Sequence, residues 1–202
     1  MRNPILVLSL ALLAACSQDA QPDPQTGPSA KPGVAASAEP AATASSEAPP
    51  LAGPVSAYTS FKDCKLVESG EGEDWSISRC KGIGGYDLQV DYGDARDDLV
   101  LLRRGKPPVK LNLFALGSGG FNTLGDAAEW RARGGADGSD PAMLIVRNKI
   151  SEDPEDSAKQ THLLVVIDLK KACVIAQVRP QSGQNAAARS IADGAPRKCL
   201  SR

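Results

Sequence analysis

Apolar and polar residues alternate along short segments near the middle of the chain. Residues 86–92, YDLQVDY, carry an apolar or aromatic side chain at every second position, and residues 75–80, WSISRC, alternate too, with Arg79 interrupting the apolar series. This period of two is typical of strands with one buried face. Four apolar runs rich in β-branched residues predict buried strands, and EWRA predicts one more. These further strands are 99–102, 142–146, 163–167, 173–178 and, for EWRA, 129–132.

Turn-forming residues separate these segments, and amphipathic helices do not. The GIGG stretch at 82–85 lies between two predicted strands and lacks the Lys-Ser/Thr pair and following helix of a phosphate-binding loop, so it predicts a turn. Strands spaced in this way favour an antiparallel sheet.

One helix is predicted near the C-terminus. Residues 183–185 are expected to cap it, residues 186–192 are mostly good helix formers, and Gly194 and Pro196 end it. Ala187, Ala188 and Ile191 share a face that is expected to lie on the sheet. The predicted class is therefore α+β, mostly β, with an antiparallel sheet and one C-terminal helix packed on it.

The N-terminus has a different pattern. Arg2 precedes an apolar run at 5–13 that is too short to cross a membrane and is typical of an export signal. The following Leu-Ala-Ala-Cys, ending at Cys16, resembles the lipobox of bacterial lipoproteins. The resemblance implies cleavage before Cys16 and lipid attachment to it. Because Ser17 rather than aspartate follows, it also implies an outer-membrane location facing the periplasm.

Composition then divides the chain into three parts. Residues 1–15 are the predicted signal peptide, and residues 16–56 are rich in Ala, Pro and Ser with no aromatic side chain. Such a segment buries too little apolar surface to fold, and we expect a disordered tether reaching at most ~120 Å. Residues 57–202 are long enough for one globular domain.

The remaining four cysteines all lie in this domain. Their number is even, and no two are spaced as zinc ligands usually are, so they predict two disulfides in an oxidising compartment. Of three possible connectivities we favour Cys64–Cys80 and Cys173–Cys199. Cys16 is the odd fifth because lipid is its expected partner.

Charge and candidate chemistry limit the function. Residues 57–202 contain 21 basic and 20 acidic residues, so their charge is balanced and no nucleic-acid partner is expected. His162, the single histidine, is interpreted as a strand-edge surface residue. The acidic stretches at 71–74 and 152–156 are interpreted as solvated loops rather than Ca²⁺ sites. No catalytic residue, metal or cofactor is predicted, and Trp75 and Trp130 are interpreted as core. Arg103, Arg104, Lys106 and Lys110 form a small basic patch that is interpreted as the solvent-exposed end of a strand. The alternative is a surface that contacts an anionic glycan or lipid head group.

Three stretches resemble a set of small exported Gram-negative proteins without a characterised activity. They read DWSISRCKGIGGYDLQVDYGD, FNTLGDAAEWR and ACVIAQVRPQSGQNAAARSIAD. The resemblance covers most of residues 58–199 and supports the domain limits and the cysteine framework. It implies no site residues.

The leading hypothesis is a lipid-anchored envelope protein that binds or organises an envelope protein or glycan without catalysis. One alternative is a binding domain analogous to bacterial lysozyme inhibitors. Another is a glycan hydrolase using two carboxylates, which needs no histidine. Its candidate carboxylates are Asp87, Asp91, Asp126 and Glu129.

Overall fold

Ten strands and one α-helix follow one another in the computed structural model, which describes residues 53–72, 74–116, 120–132, 139–153, 155–156 and 158–200. The predicted signal peptide, Cys16 and most of the predicted tether lie outside these residues. Two 3₁₀ helices, Phe61–Asp63 and Leu113–Leu116, connect strands. The strands and the helix are β1 (Val55–Ser60), β2 (Lys65–Ser69), β3 (Trp75–Lys81), β4 (Tyr86–Gly93), β5 (Arg96–Arg103), β6 (Val109–Lys110), β7 (Asn122–Ala132), β8 (Pro141–Ser151), β9 (Gln160–Asp168), β10 (Cys173–Val178) and α1 (Gln184–Asp193).

The predicted class, α+β and mostly β, is confirmed. Every predicted strand falls within an observed one, and β10 has the predicted limits. The strands from β7 to β9 extend beyond their apolar runs because polar residues continue the pairing on both sides. β1, β2 and β6 were not predicted. β2 is exposed along its whole length, so burial imposes no alternation on its sequence.

The strands form one sheet in the order β10-β9-β8-β7-β5-β4-β3-β2. Neighbours pair antiparallel except β5 and β7, which meet in parallel at a single position, Arg96 opposite Asn122. β1 pairs with the last six residues of β7, and β6 pairs with β5. β7 is therefore the strand on which the two halves of the sheet meet.

The apolar side chains lie in two layers on opposite faces of β8 and β9. Leu144 and Val146 belong to a core shared with β3–β5 and β7, whereas Met143 and Ile145 belong to a second core under α1. Adjacent residues thus enter different cores, which explains why these strands read as unbroken apolar runs rather than as alternating ones.

Helix α1 covers the second core. Ala188 and Ala192 are buried against the sheet, with Ala187 and Ile191 packed beside them. Gly183 is the N-cap in a left-handed conformation, with no side-chain capping bond. Of the three residues expected to cap the helix, 183–185, only Gly183 is the cap, and the other two belong to the first turn of α1. At the other end of α1, Asp193 accepts hydrogen bonds from the buried Arg131 of β7.

Both predicted disulfides are confirmed. Cys64–Cys80 joins the residue before β2 to β3, and Cys173–Cys199 joins the fully buried start of β10 to the segment beyond α1. The second bridge fixes the chain end beside the sheet, where Leu200 N–H also donates to Val174 at 2.7 Å.

Candidate functional site

A groove runs along α1 over the part of the sheet that the helix leaves uncovered. Its volume is about 480 Å³. We call it the helix groove. Its floor is apolar, formed by Ile145, Leu164 and Ala127, and its walls are polar. The lining residues are Tyr58, Gly125, Asp126, Ala127, Glu129, Ile145, Arg147, Lys149, His162, Leu164, Asn185 and Arg189.

An irregularity in β7 shapes the groove. Pairing with β8 stops at Leu124 opposite Asn148 and resumes at Ala128 opposite Val146, so β7 bulges where it faces Arg147. Gly125 lies at this bulge, and a Cβ built there would be 2.8 Å from Cβ of Arg147. A glycine is therefore required for the arginine to lie against the strand.

Both carboxylates of the groove are already paired. Asp126 lies 2.6 Å from Lys62. Glu129 accepts a hydrogen bond from Arg189 Nε at 2.7 Å and one from the Ser56 hydroxyl at 2.5 Å. Arg189 also donates to the Tyr58 hydroxyl. These contacts tie β1, β7 and α1 together along one wall.

The pairing sets the acidity of both carboxyls. Burial alone would raise the pKa of Glu129, but hydrogen bonds from Arg189 and Ser56 and the charges of Arg189 and Arg131 outweigh it and lower the pKa. The hydrogen bond and charge of Lys62 likewise lower the pKa of Asp126. Neither group is a protonated acid near neutral pH.

The lowered pKa of Glu129 predicts a pH-dependent contribution to stability. Glu129→Gln is expected to reduce the free energy of unfolding by about 1–3 kcal/mol at pH 7. Because the folded-state pKa lies below the unfolded value, this difference is complete above the ordinary pKa of 4.5 and shrinks as the pH falls through the folded value. Chemical denaturation from pH 7 to pH 3 measures it. Glu155→Gln, at an exposed loop position, is the control and should show a small difference; a Glu129 difference that grew on acidification would contradict the prediction.

The groove contains two cations that form no ion pair with a described carboxylate, although the charge of Lys149 helps to lower the pKa of Asp126. Arg147 Nη1 lies 3.2 Å from Gln184 Oε1, and its Nη2 lies 3.5 Å from Asn185 Oδ1, so its neighbours are neutral amides on the first turn of α1. Among the described residues, no carboxylate lies within 4 Å of Arg147 or Lys149. The two side chains are two positions apart on β8 and point to the same face.

These features favour binding of an anion over acid–base catalysis. Arginine held in a fixed orientation suits a planar carboxylate or a phosphate, and a nearby lysine adds a second charge. Glycoside hydrolysis by two carboxylates needs one of them protonated before reaction. Asp126 and Glu129 line one groove, but both have lowered pKa values.

The other candidate carboxylates serve local contacts. Asp87 accepts from the Gly82 N–H at 3.0 Å, and Asp91 lies 3.7 Å from Lys110. His162 is exposed and lies opposite Lys149 in the β8–β9 pairing, three residues into β9 rather than ahead of it.

A second polar feature is a cluster of cations that we call the basic surface. It borders two adjoining depressions between the β3–β4, β5–β6 and β9–β10 turns. The acidic residues that line the same depressions are Asp87 and Asp140. Arg103 Nη1 donates to the Lys170 carbonyl at 3.2 Å and so links two of the turns. The cations are Arg79, Lys81, Arg103, Arg104, Lys106 and Lys170.

The fold keeps three of the four residues of the predicted basic patch together and separates the fourth. Arg103, Arg104 and Lys106 belong to the basic surface, but Lys110 lies on β6 and is 3.7 Å from both Asp91 and Asp98. The chain turns back at β6, which carries Lys110 away from its sequence neighbours. Sequence reasoning missed Arg79, Lys81 and Lys170 because they come from other turns and strands.

Within the part of the chain that the structure describes, no three His, Cys, Asp or Glu side chains come together as a metal site. No helix in those residues has the length and hydropathy to cross a membrane.

Comparisons with models of known protein families, with curated proteins and with solved structures found no match to this chain.

Proposed function

We propose that this chain is a lipid-anchored protein of the bacterial cell envelope that binds an anionic ligand in the helix groove without chemically changing it. The lipobox-like sequence ending at Cys16 supports the anchor and an outer-membrane location facing the periplasm. The two disulfides agree with an oxidising compartment. The observation that carries the binding role is the pair of cations, Arg147 and Lys149, above an apolar floor.

The lining of the groove supports a proposal for the chemical class of the ligand. Arg147 and Lys149 favour one or two carboxylate or phosphate groups, and the apolar floor favours a body with nonpolar surface. Carboxylate-bearing glycan fragments of the cell wall combine these properties and occur in the proposed compartment. We therefore propose an acidic envelope glycan fragment as the ligand.

Binding is tested by NMR titration of the isotopically labelled chain with a mixture of muropeptides. We expect shifts at the amides around Arg147 and Lys149. The double variant Arg147→Gln with Lys149→Gln should weaken binding at least tenfold, because charged hydrogen bonds contribute more than a neutral pair. Acetate and inorganic phosphate, titrated alone, separate the preference for carboxylate from that for phosphate.

Lys159→Gln with Arg179→Gln is the matched control. It removes one lysine and one arginine charge from exposed positions outside the groove and should leave binding within about twofold. Equal affinity in the double variant would overturn the groove as the binding site. Cleavage of the muropeptides by the wild-type chain would favour the glycan-hydrolase alternative, and inhibition of added lysozyme would favour the inhibitor-like alternative.

The anchor is tested separately. Mass spectrometry of the protein purified from membranes is expected to find the chain beginning at Cys16 with attached acyl chains. An unmodified residue at the N-terminus would contradict the anchor and leave the groove experiment unaffected.

A further inference from the structure

The chain enters the described domain at a definite end of the sheet. Val55, the first residue of β1, lies opposite Ala132 of β7, and Ala132 lies opposite Pro141 of β8. Since neighbouring strands are about 4.8 Å apart, Val55 lies roughly 10 Å from Pro141 across the sheet. β1 therefore begins beside the start of β8.

The basic surface lies at this same end. A Cβ built on Gly84, in the β3–β4 turn, would be 2.5 Å from Cδ of Pro141, so this turn touches the start of β8. Arg104 N–H donates to the Gly85 carbonyl at 3.2 Å, which brings the β5–β6 turn alongside. The entry point of the chain and the basic surface thus share one end of the domain.

The opposite end is acidic. β3 begins there at Trp75, opposite Gly93 of β4, and β8 approaches its end there at Ile150, opposite Asn122. Three cations at this end are paired with carboxylates: Arg96 with Asp94, Lys159 with Asp153 and Asp156, and Arg179 with Glu152. Lys149, next to Ile150, forms no such pair with a described carboxylate. The described acidic residues in or beside its turns are Glu71, Asp74, Asp94, Asp97, Glu152, Asp153, Glu155 and Asp156.

We infer that the basic surface docks on the anionic lipid surface of the membrane that holds the chain. The inference rests on the proposed anchor at Cys16 and goes beyond the proposed ligand binding. A lipid modification combined with a cluster of basic residues is a physically effective pair, because each adds free energy of membrane association. The acidic end, repelled by the same surface, faces away from it.

The position of the basic surface favours a membrane over a soluble polyanion. β1, which follows the proposed tether, begins at the basic end. An anchored chain would keep these cations at high local concentration near lipid head groups. The charges come from three turns and form a broad area, as a planar anionic surface requires.

Vesicle co-sedimentation tests the inference with the chain spanning residues 17–202, which keeps every described residue and lacks the lipid. The vesicles contain phosphatidylcholine alone or with phosphatidylglycerol. We expect binding only to the anionic vesicles and a loss of binding as salt is raised. Arg104→Glu with Lys106→Glu, both at exposed positions, should reduce the partition coefficient about thirtyfold or more at low salt.

The matched control makes the same change of charge at the acidic end. Lys159→Glu with Arg179→Glu should leave the partition coefficient within about twofold. Equal losses of vesicle binding in the two double variants would show that binding depends on net charge alone and would overturn the inference. Equal binding of the wild-type chain to neutral and anionic vesicles would overturn it as well. Tighter binding to soluble dextran sulfate than to anionic vesicles would overturn it in favour of a polyanionic glycan.

The groove and the anchor can fail independently of this inference. Arg147→Gln with Lys149→Gln should lower vesicle binding less than Arg104→Glu with Lys106→Glu, because it lies outside the basic surface. A missing lipid on Cys16 in the native protein would refute the anchor, while the vesicle result on the unlipidated chain would still stand or fall by itself.

Discussion

Trp130→Ala is expected to lower the free energy of unfolding by about 3–5 kcal/mol, the usual range when a large aromatic side chain is removed from a core. Trp130 is fully buried. Its indole N–H donates to the Thr59 hydroxyl at 2.9 Å, and its ring lies 6.4 Å from that of Tyr86. The variant therefore leaves a cavity where β1, β4 and β7 meet. Urea denaturation followed by circular dichroism measures the loss.

Trp75→Ala is the control for this prediction. Trp75 is half-buried at the start of β3, so the same deletion should cost about 1 kcal/mol. Trp130→Phe tests the hydrogen bond and the ring size together and should fall between the two. Equal losses at Trp75 and Trp130 would contradict the placement of Trp130 at the centre of the core.

Replacing Cys173 and Cys199 together with alanine is expected to lower the unfolding free energy by about 3 kcal/mol. The bridge spans 26 residues, and opening a loop of this size restores that much chain entropy to the unfolded state. Beyond α1 the chain would then be held by few contacts, so hydrogen exchange should accelerate at the Leu200 amide, which donates to Val174. Thermal denaturation and hydrogen exchange measure the two effects.

The corresponding Cys64 and Cys80 double variant provides the comparison. Its bridge spans 16 residues, so a similar loss of stability is expected, but the increased exchange should appear around β2 and β3 instead. Retention of full stability in both variants under oxidising conditions would contradict a structural role for the bridges. Peptide mapping without reduction checks the connectivity directly.

The structure describes only some of the residues for which the sequence predicts a function. Cys16 carries the proposed anchor and lies outside the described residues, so its lipidation stays a prediction. The four bridging cysteines are placed as predicted. Nothing in the sequence distinguishes Arg147, Lys149 and Arg189 as functional residues, because isolated cations at strand and helix positions are ordinary surface residues. Only their convergence around the bulge at Gly125 distinguishes them.

The short strands show a limit of pattern reading. β2 contains Leu66 and Val67 side by side, and both are largely exposed. Because β2 has no buried face, burial imposes no hydrophobic pattern on its sequence. β6 has two residues, fewer than any periodicity requires. Their positions follow from pairing with β3 and β5, which supply the backbone partners.

The sequence by itself determined the local structure: the strands at 75–80, 86–92 and 173–178, the turn at 82–85 and the C-terminal helix. Each depends on periodicity or spacing within a short stretch, which burial on one face imposes directly on neighbouring residues. Only the tertiary structure decided which strands lie side by side, and hence that Arg147 faces Asn185 and that Lys170 joins Arg103. Periodicity records which face of a strand is buried and carries no information about the neighbouring strand, so the helix groove and the basic surface first exist in the folded chain.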